Sequence, residues 1–114
     1  MPVKIKRIYE PSSKADGYRI LIDRLWPRGI KKDEVDIDFW LKEVAPSTAL
    51  RKWIHGDNGD WQQFRLRYHD ELKDSSAFQQ LKDLIDEHKT LTLLYAAKDE
   101  HQNHALVLQE LVNK

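Results

Sequence analysis

Two short stretches hold the side chains best suited to chemistry. LIDRLWPRG (residues 21–29) brings Asp23, Arg24, Trp26 and Arg28 to the end of an apolar run. LLYAAKDEHQNHA (residues 93–105) does the same with Lys98, Asp99, Asn103 and His104. A planar guanidinium presents paired N–H donors that match a phosphate or a carboxylate, so Arg24 and Arg28 are candidates for holding an anion. Lys98 adds a third cation, Asp23 a polar group beside them, and Trp26 a flat apolar wall. Asp99 and His104 are the candidates for orienting polar groups or moving a proton, because histidine titrates near neutrality and a carboxylate at a strand end is readily oriented. The competing structural reading pairs the arginines with acids and makes Trp26 a core anchor.

Other reaction classes are narrowed by what the chain lacks. It contains no cysteine, which excludes thiolate nucleophiles, disulfides and Cys-based metal centres. Neither GxxxxGK[ST] nor GxGxxG occurs, so neither a P-loop nor a standard dinucleotide site is indicated. Ser47 reads as a helix cap, and Ser12 and Ser13 sit in no catalytic motif, which leaves a Ser triad without support. His101 and His104 lie three apart, a spacing that metal ligands use, and Asp99 could add a third ligand. No fourth donor stands out, so no metal or other cofactor is expected.

The formal charge is zero, from 19 basic and 19 acidic residues among 114, but the signs are unevenly placed. Residues 1–32 carry net +6 and residues 33–114 net −6. A basic first third, through Lys4, Lys6, Arg7, Lys31 and Lys32, would attract phosphate or nucleic acid if it formed one face. MPVKIKRIYE has no apolar signal-like core and no run is long enough to span a bilayer, so a cytoplasmic protein with no membrane partner is expected.

The elements that must position these residues follow from periodicity. VKIKRIY (3–9) alternates as a half-buried strand, PSSKADG (11–17) is a loop, and YRILIDRLW (18–26) is a strand with a continuous apolar centre, expected to be interior. Pro27 and Gly29 end it. VDIDFWL (35–41) suggests a third extended segment, although Asp38 could equally cap a short helix. Ser47 can open a helix carrying Leu50, Trp53 and Ile54 that stops at Gly56, and Asp60 one whose Trp61, Phe64, Tyr68 and Leu72 form a stripe. In that second helix Arg67 and Glu71 are spaced to pair. Ser75 or Ser76 opens a third, TLTLLYAA (90–97) is a buried strand, and a last helix lies between residues 101 and 112. The sum is a single α/β domain over residues 1–114, with a small mixed β-sheet flanked by helices. Ligands of such sheets bind beyond the carboxyl ends of strands. If the strands ending at DRLWPRG and KDEHQNH are parallel neighbours, Arg24, Arg28, Lys98, Asp99, Asn103 and His104 converge; if antiparallel, they separate.

DRLWPRG, WLKEVAPS (40–47), LRKWIHG (50–56), FRLRYHDEL (64–72) and LLYAAKDEHQNHA, in that order over essentially the whole chain, resemble the YeaO-like branch of the bacterial domain-of-unknown-function family 488. The resemblance implies a small cytoplasmic α/β protein whose motif residues include Asp23, Arg24, Trp26, Pro27, Arg28, Gly29, Lys98, Asp99 and His104. It implies no established reaction. Broader members carry a Cys-His-Arg triplet after the last strand, where this chain has Asn103, His104 and Ala105, so only the histidine persists. The expected function is binding of, or action on, a small anionic, phosphorylated or nucleotide-like ligand at the strand ends. A nucleic-acid-binding module and a non-catalytic interaction domain are the alternatives.

Overall fold

A computed structural model describes residues 3–56, 59–99 and 101–113. Its centre is LTLLY: in β4, Leu91–Tyr95, every residue is buried. A strand with no polar alternation needs cover on both faces and a neighbour on both edges. β4 has these neighbours, since the four-stranded sheet runs β1-β4-β2-β3 with β1 at Lys4–Arg7, β2 at Tyr18–Leu21 and β3 at Phe39–Trp40. All the pairings are parallel, so within the expected α/β class the sheet is purely parallel rather than mixed. β2 is interior, as its apolar centre requires.

The two faces are covered differently. Ile20, Ile22, Leu91, Leu93 and Tyr95 join the main core with side chains from four helices: α1 (Thr48–Ile54), α2 (Trp61–Lys73), α3 (Ser76–Glu87) and α4 (His104–Val112). Phe64, Tyr68 and Leu72 of α2 are the buried members of its expected stripe, and Leu81 of α3 and Ala105 and Leu108 of α4 are buried in the same core. On the opposite face Ile8, Leu21 and Leu94 are covered by Trp26, Ile30, Val35, Ile37 and Trp40, mostly from the irregular chain between β2 and β3.

Helix starts are where capping chemistry places them. The side chains of Ser47, Asp60 and Ser75 accept hydrogen bonds from Leu50, Gln62 and Phe78 N–H respectively, satisfying donors that the first turn leaves free. α4 begins at His104, inside the expected span, because the Asn103 side chain accepts from Leu106 N–H. The third extended segment shrinks to two paired residues. Val35 and Ile37 pack under the second face, whereas Phe39 and Leu41 reach the main core, so 35–41 is not one continuous strand.

Asp16, in a 3₁₀ turn at Lys14–Asp16, is 5% exposed and closes a charge cluster. It accepts from Lys6 Nζ at 3.0 and 3.1 Å and pairs with Arg19 of β2, itself 2% exposed. Burial works to raise the Asp16 pKa, but hydrogen bonds from Lys6, Ser13 N–H and Arg19, with the Lys6 charge, hold it below the usual carboxylate value. Gly17 follows at φ 67°, and a Cβ there would lie 2.2 Å from the Thr90 carbonyl oxygen, so this close approach of turn to sheet needs glycine.

Candidate functional site

β2 and β4 run side by side with Tyr18 opposite Leu91 and Leu21 opposite Leu94, so both chains leave the sheet at the same level. Ile22 N–H donates to Leu94 O at 3.1 Å, and one residue further on the Asp23 carboxylate accepts Ala96 N–H at 3.0 Å. That register brings the two sequence clusters to one place. A cavity of about 630 Å³ opens there, lined by Asp23, Arg24, Lys98, Asp99, Asn103 and His104. Its volume falls in the range of small-molecule pockets, and its lining mixes apolar side chains with a few polar groups.

Arg24 is held by main-chain carbonyls: Nε donates to Pro46 O at 3.2 Å and Nη2 to Ala45 O at 3.0 Å. Such a tether orients the guanidinium without cancelling its charge. His104 sits at the first position of α4, with Nε2 3.0 Å from Ile22 O and 3.2 Å from Asp23 Oδ1. Its ring meets Tyr68 edge-on at 6.5 Å between centroids. Tyr68 is fully buried and donates to Val44 O at 2.6 Å; burial above all, with Glu71 nearby, pushes its phenol well above the ordinary range and keeps it neutral. It supports the floor of the site.

Asp99 is exposed and its Oδ1 accepts from His101 N–H at 2.8 Å and Gln102 N–H at 3.0 Å. Those backbone bonds lower its pKa, which makes it a weaker base than an ordinary carboxylate. Asn103 is 4% exposed and spends its amide on structure, donating to Asp99 O at 2.9 Å and accepting from Leu106 N–H at 3.0 Å. The loop between β4 and α4 is thereby braced by its own polar side chains.

Two of the expected ligand-binding residues are elsewhere. Trp26 lies under the opposite face, edge-on to Trp40 at 5.3 Å, with Nε1 donating to Ile30 O at 2.6 Å. Arg28 is exposed beyond it and lines no part of the cavity; its carbonyl accepts from Tyr9 Oη at 3.0 Å. Beyond Arg24 the chain passes under the second face, so four residues of sequence separate Arg28 from the cavity that Arg24 lines. Arg51, His55 and Trp61 line the cavity in their stead. Arg51 and His55 are four apart at α1 and its C-cap, a spacing that puts them on one helix side, and that is the signal the sequence offers for them.

In the basic first third, Lys4, Lys6, Arg7, Lys31 and Lys32 each meet a local partner. Lys4 donates to Ala15 O at 3.0 Å, Lys6 to Asp16, and Arg7 to Ala97 O at 2.9 Å and Ala96 O at 3.3 Å. Lys31 approaches Glu34 at 3.9 Å and Lys32 lies over the Trp26 and Trp40 rings. Arg67 stacks on Trp53 at 4.1 Å rather than pairing with Glu71, which instead accepts from Ser47 N–H at 2.9 Å and Oγ at 2.5 Å. Among the described residues no group of three His, Asp or Glu side chains is placed to hold a metal ion, and no helix is long and apolar enough to cross a membrane.

Fold and cavity together define a single-domain α/β protein with a small-molecule-sized cavity at the carboxyl ends of two central parallel strands. The chain belongs to the DUF488-N3 family, in the branch described as the inactive DUF488-N3 subclade, whose model matches residues 2–114. It is 51% identical over 112 residues to the uncharacterized protein YeaO of Escherichia coli K12, covering 96% of each chain. It is 40% identical over 111 residues to the uncharacterized protein Rv3073c of Mycobacterium tuberculosis, covering 97% of this chain and 93% of the relative. No solved structure matches the chain.

Proposed function

We propose that the cavity binds a small organic anion of the phosphorylated or nucleotide-like kind, with Arg24, Arg51 and Lys98 forming its cationic end. One observation carries this reading. Three permanent cations line one concavity, and among the described residues none of them is paired with a carboxylate. The two carboxylates in the same lining are turned to other partners: Asp23 to Ala96 N–H and the His104 ring, Asp99 to two backbone N–H groups. Bonds from neutral N–H groups leave those carboxylates charged, so the described lining holds three cationic side chains against two carboxylates, and a concave site with that excess of positive charge draws anions. Ile54, Trp61 and Phe64 supply an apolar wall for the rest of such a ligand.

Binding is favoured over turnover. The described lining includes no Ser, Thr or Tyr hydroxyl, Asp99 is a weakened base, and the family branch is described as inactive. Asn103, where the broader family's resemblance places a cysteine, is an amide committed to capping α4. His104 remains the group best placed to exchange a proton with a ligand. The nucleic-acid reading loses ground at Lys6, whose charge is met by the Asp16 carboxylate.

The test is the thermal midpoint of the protein against inorganic phosphate, propyl phosphate, adenosine monophosphate and short nucleic acids. A ligand at about a hundred times its Kd adds roughly 2.7 kcal/mol, a rise of several degrees for a domain this small. The expected result is a rise with the small anions that is lost in Arg24→Ala and reduced in Lys98→Ala. A rise that survives both substitutions, or one confined to nucleic acids, overturns the proposal.

A further inference from the structure

The histidine in this cavity has a fixed orientation, and that orientation says something about the ligand. Nε2 of His104 faces two oxygens, Ile22 O at 3.0 Å and Asp23 Oδ1 at 3.2 Å. Both are acceptors, so Nε2 must carry the ring proton. Asp23 cannot turn away, because its other oxygen is occupied by Ala96 N–H at 3.0 Å. Its Oδ1 is buried and has no hydrogen bond of regular geometry, which leaves the imidazole N–H as its nearest donor. The tautomer with hydrogen on Nε2 therefore bonds Ile22 O and turns its polar N–H edge toward the carboxylate, and the opposite tautomer would set three lone pairs against one another. In neutral His104 the second nitrogen, Nδ1, is then an acceptor. No described residue bonds to it, and the ring lines the cavity beside Arg24 and Lys98.

We infer that the ligand is a hydroxylated phosphate, such as a polyol or sugar phosphate, whose anionic end meets Arg24, Arg51 and Lys98 while a hydroxyl donates to His104 Nδ1. This rests on the anion-binding reading above and adds one requirement to it. A doubly ionised phosphate ester without hydroxyls offers only acceptors, and it leaves the neutral ring's Nδ1 facing a second set of lone pairs. A ligand that also carries a hydroxyl satisfies both ends of the cavity. Trp61, also in the lining, gives a sugar or polyol carbon face an aromatic surface to lie against. Asp23 acts here as a positioning residue, since it sets the tautomer and touches the ligand only through the ring.

The experiment compares sn-glycerol 3-phosphate with propyl phosphate by titration calorimetry at pH 8, where both phosphate monoesters are doubly ionised. The two share charge and chain length and differ in hydroxyl groups. The expected result is a preference for glycerol phosphate of roughly three- to tenfold, the size of one net hydrogen bond. Lys98→Ala lowers both affinities and leaves that ratio unchanged; His104→Phe brings it to about one. Nitrogen-15 spectra of the side chain in the unsubstituted protein provide a readout independent of any variant's folding. They should show His104 as the Nε2–H tautomer, with the Nδ1 resonance displaced by glycerol phosphate and not by propyl phosphate. Equal affinities, or an Nδ1–H tautomer, overturn this inference and leave the anion reading standing. Failure of both phosphates to bind overturns the two together.

Discussion

Arg19 and Arg24 are five residues apart on and just beyond the same strand, and their surroundings differ. Arg19 is buried at 2% exposure, paired with Asp16, and donates from Nε to Asp36 O at 2.5 Å. With Lys6 on the same carboxylate, that corner of the fold is a closed knot of charge that ties the 3₁₀ turn, β1 and β2 together. Arg24 is held in space by the carbonyls of Ala45 and Pro46, and among the described residues no carboxylate pairs with it. A guanidinium bound by a carboxylate is a structural element; one bound by neutral carbonyls is positioned and still cationic. The difference separates the arginine that builds the sheet from the one that equips the cavity.

The comparison is broken most forcefully at the knot. Asp16→Ala strands Arg19 and leaves a buried charge without its partner, a change that typically costs about 3–5 kcal/mol, measured by denaturant unfolding. Gly17→Ala in the adjoining turn should cost roughly 2–3 kcal/mol, because its positive φ and the Thr90 carbonyl 2.2 Å from the new Cβ both oppose it. Arg24→Ala should cost no more than about 1.5 kcal/mol, since the two carbonyls it releases can be hydrated, while removing the response to small anions. A loss for Arg24→Ala as large as that for Asp16→Ala would abolish the distinction. Lys98→Ala is the mildest, within about 0.5 kcal/mol of the parent in stability and visible only in anion affinity.

Acid sharpens the same contrast. The Asp16 carboxyl titrates lower in the folded chain than in the unfolded chain, so its contribution to stability is present above the ordinary carboxylate range. That contribution declines as pH falls through the unfolded value and is gone below the folded one. Unfolding free energies followed from pH 6 down to pH 2 should therefore fall less steeply in Asp16→Asn than in the parent. A parallel pair of curves would show that the knot's stability does not depend on this ionisation.

Much of the framework is legible in the chain itself, since caps and periodicity act over three or four residues. Ser47, Asp60 and Ser75 each announce a helix that begins where their oxygen can reach a free N–H. The Trp61–Phe64–Tyr68–Leu72 stripe and the unbroken run of β4 declare their burial by pattern alone. Trp26 and Arg28 mislead for the converse reason. Chain proximity to Arg24 suggests spatial proximity, and only the packing of the segment after β2 shows that the indole belongs under the second face with Trp40.

The sequence by itself determined the element types, the helix starts and the two polar clusters at strand ends, because each depends on neighbours within a helical turn or a strand's alternation. Only the tertiary structure decided that the clusters meet. Placing Tyr18 opposite Leu91 in parallel register is a contact across more than seventy residues, chosen by burial of β4 on both edges and carrying no local mark. That pairing brings Asp23 to Ala96 and His104, and the packing of α1 against α2 adds Arg51 and His55 to the same wall. The cavity and the set of side chains that line it are products of long-range packing, which no short window of sequence contains.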